Sequence, residues 1–70
     1  MKNAKTSRTE MKSLKDYANS VFGDKKKASL WFNTASAALG NKKPSELATT
    51  KTGAEQVKAE LMRIEYGILS

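Results

Sequence analysis

The last third of the chain carries a run of apolar residues at helical spacing. Val57, Leu61 and Ile64 follow one another at intervals of four and three residues, and Ala54 precedes them. Such intervals place side chains on one face of an α-helix, because the helix has 3.6 residues per turn. The pattern therefore predicts a helix over residues 52–66, whose apolar face must be covered by the rest of the chain.

Gly67 follows this predicted helix and indicates its end, because glycine readily takes the left-handed conformation that terminates helices. Two large aliphatic residues, Ile68 and Leu69, come next, before Ser70. Apolar side chains beyond a helix end need cover. Two alternatives stay open: this tail folds back onto the core of its own domain, or it is covered by a partner.

Two amphipathic helices are predicted in the first half of the chain. The first ends before Gly23, and its apolar face consists of Met11, Leu14, Ala18 and Val21. Asp24 is a suitable N-cap for the second, because its carboxylate accepts hydrogen bonds from the free N–H groups of the first turn. The apolar stripe of the second helix consists of Ala28, Trp31, Phe32 and Ala35. We interpret Trp31 and Phe32 as core residues, since they hold the greatest bulk.

A loop and a short helix connect these elements to the last helix. In the loop, Gly40 and Asn41 are the residues that most readily take a positive φ, and Leu39 is expected to anchor it in the core. Pro44 has the φ that the first helical position requires, so it predicts a helix that continues to about Thr49.

The whole pattern predicts an all-α protein, a compact single-domain bundle of about four helices over residues 11–70. Residues 1–10 are polar and basic without apolar periodicity, so we expect a flexible basic N-terminal arm. A chain of 70 residues buries only about 60% of its unfolded surface. No apolar run approaches the roughly 20 residues of a membrane span. The basic N-terminus also lacks the apolar region of a secretory signal, and we expect a cytoplasmic protein without membrane contact.

Residue types that commonly perform catalysis are missing. The chain contains neither cysteine nor histidine, which removes disulfides, thiolate ligands and the commonest general base. The carboxylates of Glu55, Glu60 and Glu65 have the spacing of a solvated helix face rather than of a converging pair. We therefore expect no enzymatic activity, no catalytic residue, no metal site and no cofactor.

The net charge of +6 is concentrated in residues 1–43, which hold ten basic and three acidic residues. Lys25, Lys26 and Lys27 occupy the first turn of the second helix, where the helix dipole disfavours positive charge, and they are candidate phosphate contacts. Aromatic residues do not alternate with these lysines, and no polar recognition helix is evident, so DNA binding is expected to be weak or absent. A small basic nucleic-acid-associated protein and a self-associating, homo-oligomeric regulatory domain stay open as alternatives.

Several short motifs occur in a fixed order from Tyr17 onward. They are Val21-Phe22-Gly23-Asp24 with Ala28 and Trp31, Ala38-Leu39-Gly40 with Pro44 and Leu47, Gly53-Ala54 with Val57, and Leu61-Met62-Arg63-Ile64-Glu65-Tyr66-Gly67-Ile68. Their order and spacing resemble the toxin-binding domain of the MbcA, ParS and Xre antitoxins. These antitoxins are the partners of RES-domain toxins in bacterial type II toxin–antitoxin pairs.

The resemblance implies an inhibitor that binds a RES toxin and blocks its NAD-consuming site. In this family the C-terminal end of the domain lies near the entrance of the toxin's active site. The corresponding toxin-binding residues here are Arg63, Tyr66, Gly67, Ile68, Leu69 and Ser70. A terminal carboxylate at Ser70 would suit cationic groups that otherwise hold a nucleotide phosphate.

The chain departs from the family pattern at the loop before Pro44. Asn41 and Lys43 stand where relatives usually have glycine and threonine. Asn41 can still take a positive φ, whereas Lys43 lacks a capping hydroxyl, at a cost of about 1 kcal/mol. We expect Asn41, Lys42 and Lys43 to form a secondary partner contact. Family members often carry an operator-binding, helix-turn-helix-like half, and only a short basic segment precedes the first predicted helix here.

Overall fold

The computed structural model describes residues 5–69 of the chain and the side chains of residues 5–67. It contains four α-helices, which are α1 (Arg8–Phe22), α2 (Lys25–Phe32), α3 (Pro44–Leu47) and α4 (Lys51–Leu69), and a 3₁₀ turn at Ala37–Leu39. Residues 5–69 form no β-strand, and the predicted all-α bundle of about four helices is confirmed. None of the helices within these residues is both long and apolar enough to cross a membrane.

The connection between α1 and α2 is as short as the sequence predicts. Gly23 has a φ of 69°, in the left-handed region, and its N–H donates to the carbonyl of Asn19. The carboxylate of Asp24 accepts from the N–H of Lys26 at 2.7 Å, so it caps α2. These two residues reverse the chain and allow α1 and α2 to pack against each other.

The loop before α3 is closed by backbone hydrogen bonds. Gly40 and Asn41 have φ values of 69° and 62°, which confirms the predicted positive φ at both. The Asn41 N–H donates to the Ser36 carbonyl, and the Ser36 N–H donates to the Lys42 carbonyl. Pro44 begins α3, and Lys43 occupies the N-cap without a side-chain hydrogen bond.

The core lies where α1, α2 and α4 meet. Its buried residues are Leu14, Ala18, Ala28, Phe32, Ala48, Val57 and Leu61. Trp31 is only half-buried and packs against Phe22, with ring centroids 5.7 Å apart. Ala35, predicted to extend the apolar stripe of α2, is exposed because α2 ends at Phe32.

The N-terminal segment is more ordered than predicted, because residues 5–10 are not a free arm. The Ser7 hydroxyl accepts from the Glu10 N–H, and the Glu10 carboxylate accepts from the Ser7 N–H, which together form a capping box at the start of α1. The Thr6 N–H donates to the Thr49 carbonyl at 3.0 Å. Residues 1–4 of the predicted arm lie outside the described residues.

The end of the last helix also differs from the prediction. α4 continues through Leu69, and Gly67 is helical rather than left-handed. Glycine costs about 1 kcal/mol inside a helix. It terminates a helix where it takes the left-handed conformation, and Gly67 does not take it. The predicted apolar tail beyond a helix stop is therefore wrong for Ile68 and Leu69, whose backbone continues α4. Ser70 lies outside the described residues.

Candidate functional site

The second half of α4 has a buried face and an exposed face. Val57 and Leu61 are completely buried, and Ile64 is half-buried on the same side. On the other side, Met62 is 38% exposed and Tyr66 is 62% exposed. Large apolar side chains on the solvent side of a core helix are typical of a surface that binds another protein.

Arg63 lies beside this exposed face and is held in position by Glu60. Its guanidinium donates to both carboxylate oxygens of Glu60, with the Nε to Oε1 distance at 3.1 Å. The hydrogen bond to Glu60 raises the pKa of Arg63 above its usual value, so the group stays cationic. A paired guanidinium on a fixed helix presents a defined donor geometry to a partner.

The loop around Gly40 adjoins the same part of α4. An open groove of about 550 Å³ runs between them and is lined by Ala38, Leu39, Gly40, Gln56, Ala59, Glu60 and Arg63. Asn41, Lys42 and Lys43 follow in this loop and are exposed. The structure thus brings the 37–40 turn to Arg63, although 23 positions separate Gly40 from Arg63 in the sequence.

Glu65 is not the solvated surface carboxylate that its spacing predicts. It is half-buried, and its Oε1 accepts a hydrogen bond of 2.7 Å from the hydroxyl of Tyr17 on α1. The hydrogen bond, followed by desolvation, raises the pKa of Tyr17 to about 12. The contact ties α1 to α4 one residue before Tyr66, and only the tertiary packing could reveal it.

Lys25, Lys26 and Lys27 do not join this surface. They are exposed in the first turn of α2, and Lys25 lines a different groove, between α1 and α2. Met62 and Glu60 were not among the predicted site residues. The interval of three residues between Glu60 and Arg63 is a signal that could have indicated their pairing.

Comparison with known proteins finds a family match that covers the helices of this surface. Residues 18–67 match the antitoxin Xre/MbcA/ParS C-terminal toxin-binding domain. The chain belongs to this family. The match to the toxin-binding domain includes α2, α3 and α4 as far as Gly67, with Arg63 and Tyr66 inside it.

A curated relative of this toxin-binding domain is named "Antitoxin Xre" and comes from Yersinia enterocolitica. It is 41% identical over 56 residues, which are 79% of this chain and 38% of the relative. The chain therefore spans well under half the length of that relative. No solved structure matches the chain.

Proposed function

We propose that the chain is the toxin-binding part of an antitoxin and acts by binding rather than by catalysis. Its partner would be a RES-type, NAD-consuming toxin in the bacterial cytoplasm, whose active site the bound chain would block. The observation that carries this proposal is the family match over residues 18–67, which contains the exposed side chains of Met62 and Tyr66. Both residues lie on the C-terminal helix of this chain, which the resemblance places in contact with the toxin.

The toxin would contact the outer face of α4 and the adjoining loop. Tyr66 and Met62 would supply the apolar centre of the contact, and Arg63 a charged anchor beside it. Aromatic, methionine and arginine side chains are enriched at the centres of protein interfaces. Asn41, Lys42 and Lys43 lie in the loop across the groove and would form part of the polar rim.

Gly67, Ile68, Leu69 and Ser70 would extend this contact toward the active-site entrance. Because α4 is helical through Leu69, the segment that approaches the toxin is a helix end rather than an extended tail. A helix that is already formed loses less conformational entropy on binding than a disordered tail would lose. The end of α4 would therefore already be helical before it contacts the active site of the toxin.

Co-expression with a RES-type toxin tests the proposal. We expect the chain to restore both growth and cellular NAD. The double variant M62A/Y66A should lose most of this protection and bind at least about tenfold more weakly, since central interface residues cost 1 kcal/mol or more when truncated. The matched control is Glu55→Ala, at an exposed position of α4 outside the groove beside Arg63.

Full protection by M62A/Y66A would overturn the assignment of the contact to this face of α4. Failure of the unaltered chain to restore NAD would overturn the RES-type partner itself. Deletion of residues 68–70 then separates the two roles of the helix end. Lost protection with unchanged helix content supports contact with the toxin, whereas unfolding of the shortened chain would assign the segment to its own domain.

A further inference from the structure

We propose that the groove between α1 and α2 is a second docking surface, which binds an acidic amphipathic helix of a partner protein. The groove has a volume of about 450 Å³, and its lining includes Met11, Lys15, Ala18, Lys25, Ala28 and Phe32. It shares no lining residue with the groove beside Arg63. The inference is therefore independent of the proposed toxin contact.

The rim of this groove is positive, and its lysines form no ion pair within the described residues. Lys15 and Lys25 stand on it, and none of the described residues that line it is acidic. Elsewhere in the described part of the chain, Lys12, Lys51 and Arg63 each form an ion pair with a carboxylate of the same molecule. Lys15 and Lys25 form no such pair within residues 5–67.

Lys25, Lys26 and Lys27 add electrostatic repulsion at the start of α2. They follow the N-cap Asp24, whose single carboxylate faces three lysines in a first turn that contains no further acidic residue and where the helix dipole is already positive. Carboxylates from a partner would offset both the mutual repulsion of the lysines and their repulsion from the helix end. The charge pattern therefore favours an acidic occupant.

The apolar part of the groove decides between a protein and a nucleic acid. Met11, Ala18, Ala28 and Phe32 form its floor, and Leu30, at 70% exposed, lies in an adjoining hollow that shares Lys25, Ser29 and Asn33 with it. A phosphate backbone has no apolar surface to place on such a floor. Trp31 is half-buried against Phe22, so it is not presented as a platform for base stacking.

An amphipathic helix with carboxylates beside its apolar stripe satisfies both features. Its large aliphatic side chains would enter the groove over Ala28, where the small side chain leaves room, while glutamates would reach the rim lysines. Recognition of a helix by a groove through a few apolar anchors is a common mode of peptide binding. Leu30 would be covered at the edge of the same contact.

Heteronuclear NMR of the isotopically labelled chain tests this proposal with two synthetic peptides. The probe has about 14 residues, four helical turns, with leucine on one face and glutamate on the other. The control peptide has lysine in place of every glutamate. We expect saturable shifts at Ala28, Ser29 and Phe32 with the acidic peptide and none with the basic one.

Charge-reversal variants then locate the contact. K15E/K25E should weaken binding of the acidic peptide by about tenfold or more, since each reversal replaces an attraction between opposite charges with a repulsion. The control variant K42E/K58E has the same net charge but changes two exposed lysines that do not line this groove. Leu30→Ala, at an exposed position, should also weaken binding without loss of helix content.

Three results of the peptide experiments would overturn the proposal, and a competition experiment adds a fourth. These are equal binding of the basic peptide, equal weakening by K42E/K58E, and the absence of saturable shifts at Ala28 and Phe32. A short single-stranded oligonucleotide serves as a competitor. If it displaced the acidic peptide and bound as tightly to L30A as to the unaltered chain, the surface would be a phosphate site.

Discussion

At the scale of single residues, the hydrogen bond between Tyr17 and Glu65 joins the two longest helices. Its length is 2.7 Å, and both side chains are half-buried. The bond requires a protonated tyrosine, because a phenolate has no proton to donate to a carboxylate. The pKa of Tyr17 accordingly rises from 10.0 to about 12. Because the pKa of Tyr17 is raised, this residue stabilises the fold most at pH values at which it stays protonated.

We predict that the free energy of unfolding falls between about pH 10 and pH 12, as Tyr17 loses its proton. The stability decreases with pH because the pKa of Tyr17 is higher in the folded than in the unfolded chain. The stabilisation is complete below the pKa of Tyr17 in the unfolded chain, and it is lost as the pH rises through the pKa of Tyr17 in the folded chain. Tyr17→Phe should lower the thermal midpoint at neutral pH and flatten this decline. Thermal unfolding of the unaltered chain and of Y17F across the pH range measures both effects. An unchanged decline in Y17F would contradict the assignment.

Gly67 and Gly23 give opposite predictions for the same substitution. Gly67 is helical and an added Cβ would meet nothing within 4 Å, so Gly67→Ala should stabilise α4 by up to about 1 kcal/mol. Gly23 has a φ of 69°, so Gly23→Ala should destabilise by about 1–2 kcal/mol. Urea unfolding of both variants measures the difference. Destabilisation by G67A would show that the helix ends at Tyr66 after all.

At the scale of elements, α1 begins earlier than its apolar pattern suggests because of its capping box. The hydrogen bond from the Ser7 N–H is the main cause of a lowered pKa for Glu10, and the nearby Lys51 contributes to the same shift. We predict that Ser7→Ala lowers the free energy of unfolding by about 1 kcal/mol. Ser20→Ala, at an exposed position of the same helix, should change it little. Equal results for the two variants in urea unfolding would argue against the cap.

The junction of α3 and α4 depends on the absence of a side chain at Gly53. An added Cβ would collide with the carbonyl of Leu47, so the two helices could not keep their present approach. We predict that Gly53→Ala destabilises the domain by about 1–3 kcal/mol or more. Gly67→Ala is the matched control, since it makes the same change in the same helix. Urea unfolding in which both variants gained stability would disprove the close approach.

At the scale of the whole molecule, one small core supports every helix. A domain of this size has an expected unfolding free energy of roughly 4–10 kcal/mol. Leu61 is completely buried, and Leu61→Ala should cost about 2–5 kcal/mol, a large fraction of that stability. Met62→Ala, next to it on the outer face, should cost far less. Circular dichroism during thermal unfolding distinguishes the two, and similar losses would place Met62 in the core.

The two proposed surfaces belong to parts of the chain with opposite net charge. The outer face of α4 belongs to the part of the chain in which acidic residues slightly outnumber basic ones, with the basic loop residues 41–43 as its neighbours. The groove between α1 and α2 belongs to the basic half. Two partners of different chemistry would therefore have separate places on a single small domain.

Local sequence patterns were enough to predict the helices, most of their boundaries and the family. Helical spacing and short-range caps are local properties, so Gly23, Asp24, Gly40 and Pro44 predicted their roles correctly. The Ser7 to Glu10 interval also carried a capping signal, which the basic composition around it obscured. The order of the short motifs along the chain led to the family that the comparison then established.

Features that depend on contacts between distant residues became visible only in the folded chain. Gly23 and Gly67 are the same residue type after similar helices, but one ends its helix and the other continues it. The difference is that α2 packs back against α1, which requires a turn at Gly23, whereas the backbone of α4 stays helical from Gly67 through Leu69. Likewise, the pairing of Glu65 with Tyr17 and the clash that excludes a side chain at Gly53 arise from packing. A one-dimensional pattern cannot specify them, because it records spacing along the chain and not which faces meet.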